Sequence, residues 1–216
     1  MKLITETIED VKYLTEASEN GTKKMYIEGT FLVGDTVNRN NRMYKMDTLR
    51  KEVARYTKDL IETNRALGEL GHPDTPTINL DRACIKITAL QEDGNTFKGK
   101  ALVLETPYGQ IVKNLIESGV NLGVSSRALG SLQQTKEGYN LVQDDLRLAT
   151  AADVVADPSA PGAFVQGIME NKEWIMLNGN FVESDFEQAK KTIQNASRLQ
   201  LEETALKIFE NYLRKL

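Results

Sequence analysis

The sequence predicts an α+β protein, in which a core of antiparallel strands carries a few helices. Several stretches alternate apolar and polar residues, which is typical of half-buried strands. Two other stretches place apolar residues at helical spacing, and a third helical pattern covers about residues 183–216. These observations predict a leader over residues 1–24, a main domain over 25–180 and a helical C-terminal segment over 181–216.

The N-terminal half divides into four predicted elements. Residues 1–24 are polar and charged, and we expect a weakly ordered leader. The run MYIEGTFLVGDTV, residues 25–37, predicts a strand, and NRNNR predicts the loop that follows. Asp47 is the expected N-cap of a helix. Its apolar stripe comprises Met46, Leu49, Val53, Tyr56 and Leu60.

A hairpin and a second helix are predicted next. Residues 83–104 alternate on either side of the turn Glu92-Asp93-Gly94-Asn95, which indicates a hairpin. Thr106 supplies a capping hydroxyl and Pro107 a first helical residue, and Gly119 ends the helix. The expected buried stripe consists of Tyr108, Ile111, Val112, Leu115 and Ile116.

The remainder of the main domain is predicted to be mostly strand. Residues 120–155 indicate strands around a turn at 136–138, and the run DPSAPG at 157–162 indicates a rigid loop.

Composition excludes several classes of function. The 216 residues carry a formal net charge of -4, which gives no basic footprint for duplex DNA. Cys84 is the single cysteine, so neither an internal disulfide nor a thiolate zinc cluster is expected. The sequence contains no P-loop, GxGxxG or GxSxG motif, and we expect no cofactor. No apolar run reaches the ~20 residues that span a bilayer, and the acidic N-terminus does not match a secretory signal. We therefore expect a cytoplasmic protein without a membrane partner.

The candidate chemistry lies in the stretch NLGVSSRALGSL, residues 121–132. Ser125 and Ser126 are adjacent, and a catalytic serine needs a neighbouring base. His72 is the only histidine, so it is the candidate base. Taken alone, a histidine beside a proline is more often a turn residue, and adjacent serines are more often ordinary strand hydroxyls.

A third candidate is Asp153, because apolar residues flank it in LATAADVVADP. Its carboxylate is predicted to be partly buried, and a buried carboxylate needs a partner such as an imidazole N–H. Bonding to loop amides is the alternative.

Six segments in order resemble the prohead core proteases of T-even-type myophages: YIEGTFL, VNRNNRMY, ALGELGHP, GVSSRALGSL, EGYNLV and PSAPGAFV. The resemblance runs from about Met25 to Val165. It implies kinship with other tailed-phage prohead proteases and the herpesvirus assemblins, whose fold is a compact β core of packed antiparallel sheets with flanking helices. Their sites combine a serine, a histidine base and a third residue that varies.

On this resemblance, the catalytic residues are His72, Ser125 and Asp153. Ser125 is preferred to Ser126 because it follows an aliphatic residue, as in the wider family, and side chains alternate along a strand, so only one hydroxyl serves. Arg127 shares the face of Ser125 if the strand is regular. It could support an oxyanion, attract an acidic substrate residue or form a salt bridge, so it stays outside the catalytic set.

The resemblance implies a serine endopeptidase that cleaves phage scaffold and capsid proteins inside the prohead, in the host cytoplasm. Cleavage is expected after glutamate, with an aliphatic residue two positions earlier and a small residue after it. Leu14-Thr15-Glu16-Ala17 fits this pattern, which predicts a zymogen that cleaves itself between Glu16 and Ala17. Leu201-Glu202-Glu203-Thr204 fits less well. Self-association is also open.

Two other classes of protein compete with the protease. A non-enzymatic phage scaffold or structural protein of the same β fold would use Ser125 and His72 only for packing. A nucleic-acid-binding module is disfavoured by the acidic charge balance and by the lack of an aromatic and basic patch.

Overall fold

The structure is a computed structural model that describes residues 2–8, 11–17, 23–156, 173–177 and 180–184. The chain divides into a larger unit, residues 2–170, and a smaller one that includes residues 171–216. The strands of the larger unit are β1 (Lys2–Ile8), β2 (Val11–Ala17), β3 (Lys23–Val33), β4 (Arg42–Met43), β5 (Leu67–Glu69), β6 (Ala83–Asp93), β7 (Thr96–Val103), β8 (Leu122–Gly130), β9 (Leu132–Gln134), β10 (Asn140–Val142) and β11 (Arg147–Ala156). Its α-helices are α1 (Met46–Tyr56) and α2 (Pro107–Glu117).

The strands of the larger unit form mostly antiparallel sheets, as the sequence predicts. In one sheet, β8 pairs with β1 on one side and with β11 on the other. A second sheet has the order β2-β3-β7-β6-β5, and a small third sheet has the order β4-β10-β9. Residues from both larger sheets and from α1 share one buried apolar cluster. This core fixes the strands on which the candidate residues lie.

The N-terminal residues differ from the expectation of weak order. β1 pairs with β8 over its whole length, and β2 pairs with β3 in the same way. Ile4 is almost completely buried in the core. Alternating apolar and polar residues therefore form strands here despite the charged composition, because each segment pairs with a strand that already has a buried face.

Four of the five residues in the predicted apolar stripe of α1 are confirmed; the fifth, Leu60, lies beyond the helix and is only partly buried. The predicted N-cap is wrong. Met46, Leu49, Val53 and Tyr56 are buried. Lys45 occupies the N-cap position without a side-chain cap, and Asp47 lies in the first turn. The carboxylate of Asp35 accepts a bond from the Met46 N–H at 3.1 Å. Asp35, which precedes the helix by eleven residues, thus caps its N-terminus in place of Asp47. The helix continues into a π-helical turn, Thr57–Ile61.

Helix α2 begins as predicted and is less buried than predicted. Thr106 is the N-cap, and its hydroxyl accepts a bond from the Gly109 N–H at 3.1 Å. Gly119, just beyond the helix, has a positive φ of 81°. Val112 is buried, whereas Ile111 is 44% exposed. The expected burial of Ile111 is wrong because the helix covers the sheet with a narrower face than its apolar stripe.

The hairpin and the later strands follow the sequence closely. β6 and β7 pair around a tight turn at Gly94, whose φ is 62°. The turn at 136–138 lies between β9 and β10 and contains Gly138, also at positive φ. The loop predicted at 157–162 lies outside the described residues.

The smaller unit contains a hairpin of β12 (Glu173–Leu177) and β13 (Asn180–Ser184). Residues 181–184 are therefore strand, and the predicted helical start of the C-terminal segment at residue 181 is wrong. Residues 185–216 lie outside the described residues. In the part of the chain that the structure describes, no helix is long and apolar enough to cross a membrane.

Candidate active site

A β-bulge in β11 places Asp153 opposite Ser125. Thr150 pairs with Arg127 of β8, and Asp153 pairs with Ser125. Two residues of β11 therefore lie opposite one residue of β8, which is the pattern of a bulge. The Thr150 hydroxyl stabilises the bulge, because it donates to the Ala152 carbonyl and accepts from the Ala152 N–H. The bulge aims the Asp153 side chain toward the face that Ser125 and Arg127 share.

The segment after β5 brings His72 to the same place. Leu70 forms a parallel bridge with Val154, and the Gly71 N–H donates to the Val154 carbonyl at 2.7 Å. Gly71 then takes a positive φ of 78°, which turns the chain into His72. Gly68 allows β5 to come this close, since a Cβ at Gly68 would lie 2.0 Å from the Ala152 carbonyl oxygen.

His72 and Asp153 are in direct contact. The imidazole Nδ1 lies 3.0 Å from Oδ2 of Asp153. Asp153 is fully buried, whereas the His72 side chain keeps 15% exposure. Because a carboxylate accepts hydrogen bonds, the contact favours the tautomer in which Nδ1 carries the proton. The other ring nitrogen, Nε2, is buried and has no hydrogen-bond partner among the described residues. It is therefore able to accept a proton from a hydroxyl.

Ser125 lies next to this pair on β8. It is fully buried and is the cross-strand partner of Asp153. Directly opposed residues of antiparallel strands place their Cβ atoms about 4.5–5.5 Å apart on one face of the sheet. Because Arg127 contacts Asp153, the face of Ser125 and Arg127 is the one that carries the candidate site. Side-chain alternation then directs Ser126 to the opposite face. The structure thus joins His72 to Asp153 and sets Ser125 opposite Asp153 on the neighbouring strand.

Arg127 forms a buried ion pair with Asp153. Its Nε lies 3.0 Å from Oδ2 of Asp153, and its Nη2 lies 2.9 Å from Oε1 of Glu69. Its Nη1 donates to the carbonyl oxygen of Thr75. The side chain is fully buried, so its donors are used inside the protein. Of the three roles that the sequence left open for Arg127, the structure shows the salt bridge.

Glu69 completes the charged cluster. Its backbone N–H donates to Oδ1 of Asp153 at 2.8 Å, while its own carboxylate binds Arg127. The Asn79 N–H donates to Oε1 of Glu69, and Arg82 lies 3.5 Å from Oε2. A buried carboxylate is stabilised only when such partners compensate for the loss of water.

The two other buried titratable groups near Asp153 remain neutral. Burial raises the pKa of the Cys84 thiol to about 12 and that of the Tyr56 phenol to about 12. A nucleophilic cysteine has to ionise near neutral pH. Cys84 is therefore not suited to be the nucleophile. Among the described residues, no group of three or more His, Cys, Asp or Glu side chains is placed to hold a metal ion.

Comparison with known proteins decides the family. The family model described as prohead core protein serine protease matches residues 4–173. The chain belongs to this family. The match begins well before Met25, so the N-terminal strands are part of the family's sequence pattern. The family resemblance seen in the sequence is confirmed, and the chain is a peptidase by kinship.

A sequence match and a structural match, both to phage T4, support this assignment. The prohead core protein protease of Enterobacteria phage T4 is 41% identical over 144 residues, which cover 65% of this chain and 68% of that protein. A solved structure, the capsid assembly protease gp21 of bacteriophage T4, matches with a TM-score of 0.69 and 34% identity. That match covers 73% of this chain and 98% of the solved one. The α+β fold with mostly antiparallel sheets is thus the fold of a solved protease.

Sequence reasoning missed Glu69 and left the role of Arg127 open among three possibilities. Glu69 stands three positions before His72, and Arg127 two positions after Ser125. Strand alternation already placed Arg127 on the face of Ser125. The signal for Glu69 was weaker, because a single glutamate in ALGELG does not indicate which distant arginine will pair with it.

Proposed function

We propose that the chain is a serine endopeptidase with Ser125 as nucleophile, His72 as general base and Asp153 as the residue that orients the imidazole. One observation supports this most strongly: Asp153 contacts His72 Nδ1 at 3.0 Å and is the cross-strand partner of Ser125. A carboxylate bonded to one imidazole nitrogen, with the other nitrogen available to a serine, is the arrangement that catalyses acyl transfer.

The reaction then has two steps. The Ser125 hydroxyl attacks the scissile carbonyl carbon while His72 Nε2 takes its proton, and Asp153 stabilises the imidazolium that forms. His72 gives this proton to the leaving amine as the C–N bond breaks. In the second step, His72 deprotonates a water that attacks the acyl-enzyme, and Ser125 leaves with the proton. Backbone N–H groups hold the oxyanion.

The substrates proposed are scaffold and capsid proteins of a phage prohead. The T4 sequence match is called a prohead core protein protease, and the T4 structural match is called a capsid assembly protease. On this basis the chain acts inside the prohead, in an infected host cell, during capsid maturation.

Autoprocessing is proposed between Glu16 and Ala17. This bond lies at the end of β2, an edge strand of the five-stranded sheet. Proteases bind peptides in extended form, and an edge strand already has that form and one unpaired side. Cleavage after glutamate would separate β1 and most of β2 from the rest of the chain. The site at Leu201–Thr204 lies outside the described residues and stays a weaker prediction.

The test uses the peptide YLTEASENG and the whole protein, with mass spectrometry as the readout. The wild type and Ser126→Ala should cleave the peptide after its first glutamate, and Ser125→Ala should not. Loss of residues 1–16 from the intact protein should follow the same pattern. If neither the intact wild type nor a form lacking residues 1–16 cleaves any substrate, the non-enzymatic scaffold protein becomes the better account.

A further inference from the structure

The carboxylate of Asp153 is fixed by contacts to both oxygens. Oδ1 accepts from the Glu69 N–H at 2.8 Å and from Arg127 Nη2 at 3.3 Å. Oδ2 lies 3.0 Å from Arg127 Nε and 3.0 Å from His72 Nδ1. The planar guanidinium of Arg127 therefore binds both carboxylate oxygens, which fixes the plane of the Asp153 carboxylate as well as its position.

The same guanidinium also holds the segment that carries His72. Arg127 binds the carboxylate of Glu69, three residues before His72, and the carbonyl of Thr75, three residues after it. All these contacts are made by a side chain with no exposure to solvent. One side chain of β8 thus ties together β11, the end of β5 and the loop after His72.

We propose that Arg127 and Glu69 are positioning residues for the reaction: Arg127 fixes Asp153 and the His72 segment, and Glu69 balances the charge of Arg127 beside the imidazole. This inference rests on the proposed catalytic roles of Ser125, His72 and Asp153. The protonation of His72 is then controlled by Arg127 and Glu69 as well as by Asp153.

The charges around His72 determine in which direction each substitution should move the pH profile. Asp153 and Glu69 are negative, and Arg127 and Arg82 are positive. Asp74, exposed on the loop after His72, is also negative. Cys84 and Tyr56, which also lie near Asp153, are uncharged. A negative charge favours the protonated imidazole and a positive charge disfavours it.

The first variant, Arg127→Lys, keeps the charge and removes the fork. An ammonium group is a point charge and cannot hold both oxygens of Asp153 in one plane. We expect kcat to fall by about 100-fold, the effect of a misplacement of about 1 Å. KM and the acid limb of the pH profile should stay close to wild type. Arg50→Lys is the matched control, because Arg50 pairs with Glu92 on the surface.

The second variant, Glu69→Gln, keeps the shape and removes a negative charge. Arg127 is then less compensated, so the protonated imidazole is disfavoured. The acid limb of kcat/KM should move to lower pH. Glu92→Gln, the matched control, should leave the limb in place. A role in packing alone would lower the amount of folded enzyme without moving this limb.

Each rate is divided by the concentration of sites that a serine-directed phosphonate titrates, which removes any loss through misfolding. The proposal is overturned if Arg127→Lys keeps the wild-type kcat per titrated site, or if Glu69→Gln leaves the acid limb unmoved or moves it to higher pH. Ser125→Ala distinguishes a failure of the catalytic assignment from a failure of the positioning role. Activity that persists in Ser125→Ala contradicts the catalytic assignment itself, whereas the outcomes above contradict only the positioning role.

Discussion

The close approach of β5 to the bulge of β11 should control activity, and Gly68→Ala tests it. A Cβ at Gly68 would lie 2.0 Å from the Ala152 carbonyl oxygen, against 3.4 Å for ordinary contact. The obstacle is backbone, so it cannot rotate away. The strands must separate by about 1.4 Å at this point, the difference between these two distances.

The separation should affect stability and activity differently. Overpacking of this kind costs about 1–3 kcal/mol of the free energy of unfolding. The displacement is passed on to Leu70 and Gly71, which bond to Val154 and lead directly to His72. Because misplacement of a catalytic group by about 1 Å costs about 100-fold in rate, we expect a similar fall in kcat per folded molecule.

The matched control is Gly99→Ala. A Cβ at Gly99 would lie 2.1 Å from the Phe31 ring, so the overlap is comparable. Gly99 lies on β7, however, where its cross-strand partners are Gly29 and Leu90 and not residues of β5 or β11. Urea denaturation should show a loss of stability in both variants. Peptide cleavage per titrated site should fall only in Gly68→Ala. Equal activity in the two variants, or a fall in both, would refute the argument that β5 positions His72.

Three further predictions concern single residues. Asp153→Asn should lower kcat by about 10⁴-fold and leave KM unchanged, because it loses the carboxylate that fixes the imidazole tautomer. Steady-state kinetics at neutral pH measures both constants, and a loss of kcat under tenfold would contradict the prediction. Cys84 should resist alkylation by iodoacetamide at pH 8 in the native protein and react once urea unfolds it, because burial raises the pKa of the thiol to about 12; rapid native labelling would show that the site opens. Thr106→Ala should cost about 1 kcal/mol of the free energy of unfolding through loss of the α2 cap, with cleavage per folded molecule unchanged; urea denaturation measures the first and an unaltered midpoint would argue against the cap.

The sequence allowed the local elements to be predicted where their signals are local. The Thr106 cap, the Gly94 turn and the first four residues of the α1 stripe depend on residues close together in the chain, and all are confirmed. Asp35 capping α1 and the strand pairing of residues 2–8 depend on distant partners, and both were missed. Ile111 shows the same limit, since its exposure depends on the surface that α2 covers.

The sequence indicated which residues to consider for the candidate site, but not how they are arranged. His72 was found because it is the sole histidine, and Asp153 because apolar residues flank it. The β11 bulge that sets Asp153 opposite Ser125 has no sequence signature, because it arises from the register between two strands. For the same reason the Arg127–Glu69 contact, which joins residues on separate sheets, could not be inferred from their positions in the chain.

The central claim is that Ser125, activated by His72, is the nucleophile. The most direct measurement is labelling with a serine-directed fluorophosphonate, followed by peptide mapping by mass spectrometry. The account predicts one adduct, on Ser125, in the wild type and in Ser126→Ala, and no adduct in Ser125→Ala or in folded His72→Ala. An adduct on Ser126, or labelling of Ser125 that does not depend on His72, would contradict it.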